Sequence, residues 1–410
     1  MNSKWFKTII SDQAPLQRGF DITQKTANPG DVPVISSGGI SYYTDNPILS
    51  GPGVVIGRKG TLGTVFYVAS NYWPSDTTLW ITDFKGNNPK FVYYFYKTLS
   101  VMMLNLDVGS ANPTLNRNHL HSREILWTDR QSQDRIAEIL SSFDDKIELN
   151  RQMNRTLEQI ARALFKSWFI DFDPVHAKQR GEQPAGMDAE TAALFPDRFV
   201  EIDGKEVPEG WKVKALDSVA DFLNGLALQK YPPTGEDDLP IIKIAQLRKG
   251  NTEGSGLAGR NVGSKYTVQD GDVLFSWSGS LEVVRWSGGE GALNQHLFKV
   301  TSSTQPAWFV YYWLLEHLPH FREIAANKAT TMGHIQRGHL TDAKVYVPEK
   351  NLLDALGRQM QPVFEQIFQN DLEARRLAEL RDSLLPRLLS GELDVSDWEN
   401  AVEDPEGAPA

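Results

Sequence analysis

An internal repeat of about 220 residues is the strongest constraint that this sequence places on its own fold. "GPGVVIGRKGTLG" (51–63) is answered by "QDGDVLFSWSGSLE" (269–282), with Gly60 aligned on Gly279. "FVYYFY" (91–96) returns as "FVYYWL" (309–314) at an offset of 218, and "LNRNHL" (115–120) as "IQRGHL" (335–340) at an offset of 220. The segment 135–168 then runs without a gap against 355–388. A chain built this way makes one kind of unit twice, a globular part followed by a long helix.

The helical segments are the best defined. Positions 136, 140, 143, 147, 150, 154, 157, 161, 164 and 168 alternate spacings of four and three and are mostly apolar, as are positions 353 to 388 on the same rhythm. An apolar stripe held over about five heptads predicts a coiled coil. At ~1.5 Å per residue, each 40-residue helix is roughly 60 Å long. Thr128 and Gln131 resemble a capping box at the first helix start. Pro362 is expected to kink the second helix or mark its beginning. Asn150 and Asn370 fall at matching places on the stripe. We expect the helices to pair antiparallel about a pseudo-twofold axis with these asparagines close together. As a buried asparagine weakens a seam, replacing both with leucine is expected to stabilise it.

The globular parts read as mixed α and β. Short β-rich runs such as "VPVIS", "VVIG", "TLWIT" and "DVLFSWS" alternate with Gly, Pro and Asn turns, and each part has one aromatic helix, near 89–104 and 306–325. The polar, Pro/Gly-rich stretch 174–206 reads as a connector, and the acidic tail 396–410 as disordered. The net charge of −10 is uneven: residues 1–126 carry +3 and 211–348 carry +1, against −6 for 127–210 and −8 for 349–410. A polyanion would meet the first pair and avoid the second. The absence of cysteine excludes disulfides, thiolate metal sites and cysteine nucleophiles. No apolar run suggests a leader or a membrane span, and a cytoplasmic location with no membrane partner is the expectation.

Catalytic signatures are missing. "GRKGTLGT" (57–64) lacks phosphate-loop spacing, "NPTL" (112–115) lacks the second proline and aromatic of an adenine-methyltransferase motif, no HExxH occurs, and no carboxylate cluster has nuclease-like spacing. Asp171 and Asp173 have Gly391 and Leu393 as repeat counterparts, which argues against a catalytic pair. Polar loops remain, and they suit base edges and phosphates. In the first half the candidates are Arg58, Lys59, Thr61, Ser75, Asn112, Thr114, Asn116 and Arg117. In the second they are Ser276, Ser278, Ser280, Asn294, Gln295, Thr331, His334, Gln336 and Arg337.

"GDVLFSWSGS" with a downstream "NQHL" (294–297), "GHIQRGHL" (333–340), "VPEGWKVKALDSVA" (207–220) and two helices ending "LFKSWFIDFDPV" and "LLPRLLSGELDV" together resemble the specificity subunit of type I restriction-modification enzymes. The resemblance covers essentially the whole chain, with Trp277 standing where the family often has a basic residue. It implies an α+β fold, a tandem pseudo-twofold repeat of a mixed α/β target-recognition domain plus a long helix, with the helices forming an antiparallel coiled coil. The expected division is recognition domain 1 (1–127), spacer helix 1 (128–173), connector (174–206), recognition domain 2 (207–348), spacer helix 2 (349–395) and the tail.

The implied partners are double-stranded DNA, two modification subunits and, in a complex that cleaves, restriction subunits. No cofactor is expected on this chain: S-adenosylmethionine belongs to the modification partner, and ATP and Mg to the restriction partner. The chain is then a non-catalytic reader of an asymmetric bipartite DNA target, and its paired helices act as a ruler between half-sites. A self-contained adenine methyltransferase and a coiled-coil scaffold that reads no DNA are the alternatives. Phe165, Phe169, Ile170 and Phe172 lie off the helix stripe and are expected to contact a modification subunit or the adjacent recognition domain. Asp173-Pro174 is expected to end the helix.

Overall fold

A computed structural model describes residues 5–106, 114–327 and 333–394. Asn112, Thr331 and the acidic tail lie outside the described residues. The chain divides into two units, one of Met1–Lys146 with Leu377–Ala410 and one of Ile147–Arg376. This differs from the linear division expected from sequence. Each unit gathers one recognition domain, the start of the helix that follows it, and the end of the other long helix.

In the first unit, four antiparallel strands lie in the order Leu16–Arg18, Thr78–Ile81, Gly53–Gly57 and Val65–Val68. Gly39–Thr44, Val32–Ser36 and Trp73–Pro74 form a second sheet, and Trp5–Ile9 pairs with Glu124–Thr128. The strand "GVVIG" is buried along its whole length, which is why it is a continuous apolar run rather than an alternating one. Helix Pro89–Thr98 starts where Asn88 Oδ1 accepts from the N–H groups of Lys90 and Phe91 at 2.8 and 3.1 Å. It packs Phe91 and Phe95 edge-on to Trp127. The core is completed by Ile136, Ala137 and Leu140 from the first long helix and by Leu384, Leu385, Leu388 and Leu389 from the second.

The second unit repeats the plan. Its four-stranded sheet runs Asp221–Asn224, Leu297–Thr301, Val273–Ser276, Val283–Arg285, and Lys212–Ala215 pairs with Lys344–Val347. Helix Ala307–Ala326 supplies Trp308, Phe309, Tyr312 and Trp313 to the core. Leu352, Leu353, Leu356 and Met360 come from the start of the second long helix, and Ala161, Phe165, Trp168 and Phe169 from the end of the first. Positions 384, 385, 388 and 389 are therefore the repeat counterparts of 164, 165, 168 and 169, and each set closes the recognition domain of its own unit.

The long helices span Arg130–Phe169 and Lys350–Leu389. Every stripe position from Ile136 to Trp168 and from Leu353 to Leu388 is buried or half-buried. Within the second unit the pairing is antiparallel: Asn150 Nδ2 donates to Glu373 Oε2 at 2.8 Å, while Asn154 Nδ2 donates to Asp371 Oδ1 at 2.8 Å and to the Ile367 carbonyl at 2.9 Å. Asn150 Nδ2 also reaches the Asn370 carbonyl at 3.5 Å, so the two stripe asparagines are close together as expected, and Asn370 Nδ2 donates to Asn154 Oδ1 at 2.8 Å.

Three local expectations need correcting. The first helix is capped by Asp129, not Thr128: Asp129 Oδ1 accepts from Ser132 N–H at 3.0 Å, whereas Thr128 is still in its strand. The second helix begins at Lys350 and continues through Pro362, which therefore does not mark its start. Asp173-Pro174 begins a helix rather than ending one. The long helix stops at Phe169, Phe172 turns the chain at φ 52°, and helix Asp173–Gln179 follows with Pro174 in its first turn, where a missing N–H costs nothing. The connector also folds: helix Asp173–Gln179 adds Val175 to the second core, the end of helix Ala189–Leu194 adds Phe195, and a hairpin of Phe199–Ile202 with Lys205–Pro208 adds Val207.

Candidate nucleic-acid interface

The two recognition domains build one loop frame twice. In the first, Arg58 N–H donates to the Thr77 carbonyl at 2.9 Å, and the Arg58 carbonyl accepts from Leu115 N–H at 2.8 Å. In the second, Trp277 N–H donates to the His296 carbonyl at 3.3 Å, and its carbonyl accepts from Ile335 N–H at 3.0 Å. Gly19 N–H reaches Thr78 O and Gly225 N–H reaches Leu297 O, both at 3.0 Å. Lys59 bridges to Thr114 as Ser278 bridges to His334. Two pairs of glycines make the frame possible. A Cβ on Gly19 would fall 2.1 Å from Ser75 O, and one on Gly225 2.2 Å from Asn294 O. Gly60 and Gly279 take φ values of 83° and 64°, the left-handed region that glycine enters without strain.

The frame sorts the candidate residues. In the first domain Arg58, Thr114, Asn116 and Arg117 line one open cleft of about 710 Å³, together with Gln17, Arg18 and Phe20. Lys59 and Thr61 are exposed on the adjoining turn. Ser75 is corrected to a frame residue, because it is 6% exposed and its hydroxyl shares a 2.8 Å hydrogen bond with Thr77.

In the second domain three candidates move the same way. Ser276 is fully buried, donating to the Ser280 carbonyl and accepting from Glu282 N–H, both at 2.7 Å. Ser278 is buried against His296 Nδ1 at 2.9 Å, and buried Asn294 accepts from His296 N–H at 3.3 Å. Ser280, Gln336 and Arg337 are exposed, and Gln295 and His334 half-buried. Arg337 is nevertheless tied down, donating to the Phe222 carbonyl at 3.1 Å with its guanidinium 5.6 Å over the Phe298 ring.

Where the first domain has Arg58, the second has Trp277. Its Nε1 donates to Asn224 Oδ1 at 2.9 Å, and its ring lies 6.0 Å from Phe298, 5.9 Å from His296 and 6.3 Å from His334. Beside the first cleft, His121 accepts from Leu16 N–H at 2.9 Å. Burial, then the neighbouring Arg117 charge, holds its pKa below the ordinary histidine value. It is a neutral support for the loop.

Arg18 and its counterpart Asn224 were not marked by the loops that the sequence singles out. The signal for them is faint: Gly19 and Gly225 are 206 positions apart, off the repeat's main spacing.

Of the two contacts expected for Phe165, Phe169, Ile170 and Phe172, the structure shows the one to the adjacent recognition domain. The three phenylalanines are buried, with Phe165 5.3 Å from Trp313, Phe169 5.3 Å from Phe309 and Phe172 5.7 Å from Trp211, and Ile170 is half-buried on the same cluster. Side chains consumed by their own unit's core are not available to a separate subunit. Among the described residues, no group of three or more His, Asp or Glu side chains could hold a metal ion, and no helix is long and apolar enough to cross a membrane.

The family described as "type I restriction modification DNA specificity domain" matches residues 2–159 and 208–381, one match for each half of the repeat. The chain belongs to this family. The type I restriction enzyme HindI specificity subunit of Haemophilus influenzae is 30% identical over 328 residues, which cover 68% of this chain and 71% of that one. The MjaIX specificity subunit of Methanocaldococcus jannaschii is 30% identical over 321 residues, covering 75% and 70%. The fold is also that of the crystallised type I restriction-modification S subunit from M. genitalium, with a TM-score of 0.56 at 16% identity over 95% of this chain and 97% of that one. This specificity subunit is thus a DNA-recognition component of a restriction-modification complex and not its catalytic part.

Proposed function

We propose that the two recognition domains each read one half of an asymmetric bipartite DNA target, and that the chain docks two modification subunits. The observation that carries this reading is the loop frame made twice with different side chains on it. Equal frames present side chains at equal places, so Arg58 against Trp277, or Thr114 against His334, changes the bases preferred without changing the fold. Base edges are distinguished by such side chains, while phosphates hold the register.

Two copies of one partner need equivalent surfaces. Ile160 and Leu380 occupy equivalent repeat positions and are 45% and 44% exposed, so each unit offers an apolar side chain at the same place on its helix. In place of the buried phenylalanines, Ile160 in the second unit and Leu380 in the first are each proposed to contact one modification subunit. S-adenosylmethionine is then held by the modification partner, ATP and Mg by a restriction partner, and the complex works in the cytoplasm.

Exchange of residues 211–348 for another such domain tests the reading. Methylome sequencing should show one half-site replaced and the other retained. An unchanged motif would reduce the chain to a scaffold, and methyl transfer by the purified chain alone would make it an enzyme.

A further inference from the structure

We propose that Arg18, Arg58 and Arg117 act together as a guanine-reading cluster in the first recognition domain. The inference rests on the proposal that this domain reads a half-site. It adds which residues read and what base they prefer.

The three guanidinium groups come from separate segments. Arg18 ends the strand Leu16–Arg18, Arg58 follows the strand Gly53–Gly57, and Arg117 opens the short helix Arg117–His121. All three line the same open cleft. Two are braced by neighbouring groups. Arg18 Nη2 donates to Asp21 at 2.6 Å and lies 3.5 Å from Asp76 Oδ2, and Arg58 Nη1 donates to the Asp76 carbonyl at 3.3 Å. A guanidinium has five donors in a fixed fork, so a brace that uses one nitrogen orients the others. Arg117 is exposed and has no carboxylate partner among the described residues.

The acids decide between base and phosphate. Asp21 lines the cleft and is 78% exposed, and Asp76, 37% exposed, lies against Arg18 and Arg58. Carboxylates beside the arginines repel phosphate oxygens, whereas they can accept from the amino group of cytosine. The arginine fork itself matches O6 and N7 of guanine, and adenine places a donor where O6 would be. A G·C pair satisfies both charges of the cleft.

The second domain lacks this arrangement at the equivalent frame positions. Asn224 stands for Arg18, Trp277 for Arg58 and Gln295 for Asp76, and the remaining Arg337 is bonded to the Phe222 carbonyl. The guanine preference therefore belongs to the first half-site.

The test uses the full chain assembled with its modification partner. Methylome sequencing defines the motif, and exchange of residues 5–126 for another first domain identifies the half-site concerned. Arg18→Lys, which keeps the charge and loses the fork, and Arg117→Ala are then assayed on duplexes with each guanine replaced. We expect a guanine in the first half-site whose preference falls roughly ten- to a hundredfold, with the second half-site and the melting temperature unchanged. A first half-site without guanine, equal slowing on all sequences, or no change in either variant would overturn the cluster. If those variants are silent while the domain exchange alters the half-site, only the cluster falls. If the exchange itself leaves the motif intact, the reading beneath it falls as well.

Discussion

The two recognition domains share a backbone frame and differ in what closes them. The first borrows Leu384, Leu385, Leu388 and Leu389 from the far end of the chain, an aliphatic cover. The second uses the counterpart positions of the first long helix, where Phe165, Trp168 and Phe169 stack among Trp211, Phe309 and Trp313 and the folded connector adds to them. Equal architecture does not require equal chemistry, in the cores or in the clefts. Position is kept by the backbone bonds and the close-approach glycines, and the side chains around them are free to diverge.

The sharpest test of that contrast is to remove one cover at a time. Phe169→Ala should cost about 3–5 kcal/mol and Leu388→Ala about 2–5 kcal/mol. Hydrogen exchange resolved along the chain should show protection lost in the strands of the second unit for the first variant and of the first unit for the other. Uniform loss in both variants would break the comparison.

The helix seam comes next. Asn370 donates to Asn154 and accepts from Gln366 at 2.8 Å, whereas Asn150 Oδ1 is buried without a hydrogen-bond partner. Asn370→Leu should therefore destabilise by about 1–3 kcal/mol because it leaves buried partners unmet. Asn150→Leu should cost less. The gain expected from sequence for leucine at both positions is not what this network implies, and a thermal melt of each single variant decides it.

A smaller difference separates the paired arginines. Arg337→Ala loses a hydrogen bond to the frame and should cost about 0.5–1.5 kcal/mol. Arg117→Ala should stay within about 0.5 kcal/mol, as exposed substitutions do. Equal costs in chemical denaturation would show that the two arginines play one role.

The last change is a gain. Burial raises the Asp371 pKa above the ordinary carboxylate value, against the lowering effect of its Asn154 hydrogen bond. A raised carboxyl pKa means the ionised form costs stability in the folded state. That cost is present at neutral pH and fades as the pH falls through the raised value. Asp371→Asn should melt higher than the parent at pH 7, and the gap should close on acidification; a gap that widens would reverse the assignment.

Much of this was legible from sequence because a repeat is visible wherever its spacing holds. The heptad stripes, the aromatic helices and the loops at 58–61 and 276–280 all sit at offsets of 218 to 220. What escaped did so for physical reasons. Ser75, Ser276 and Asn294 are polar residues in turn-rich loops, and composition alone does not distinguish a hydroxyl that brackets a turn from one that meets a ligand. Arg18 stands off the main spacing. "LFKSWFIDFDPV" looked overly apolar for a coiled-coil end because the surface it covers, Trp211, Phe309 and Trp313 among it, comes from other elements further along the chain, and periodicity carries no information about such a partner.

The aliphatic cover of the first domain has a consequence for synthesis. The leucines that finish the core of the strands from Trp5 to Thr128 are made well after those strands have left the ribosome. At ~5–20 residues per second, roughly 250 further residues take tens of seconds to appear. Through that interval the first recognition domain is without its lid.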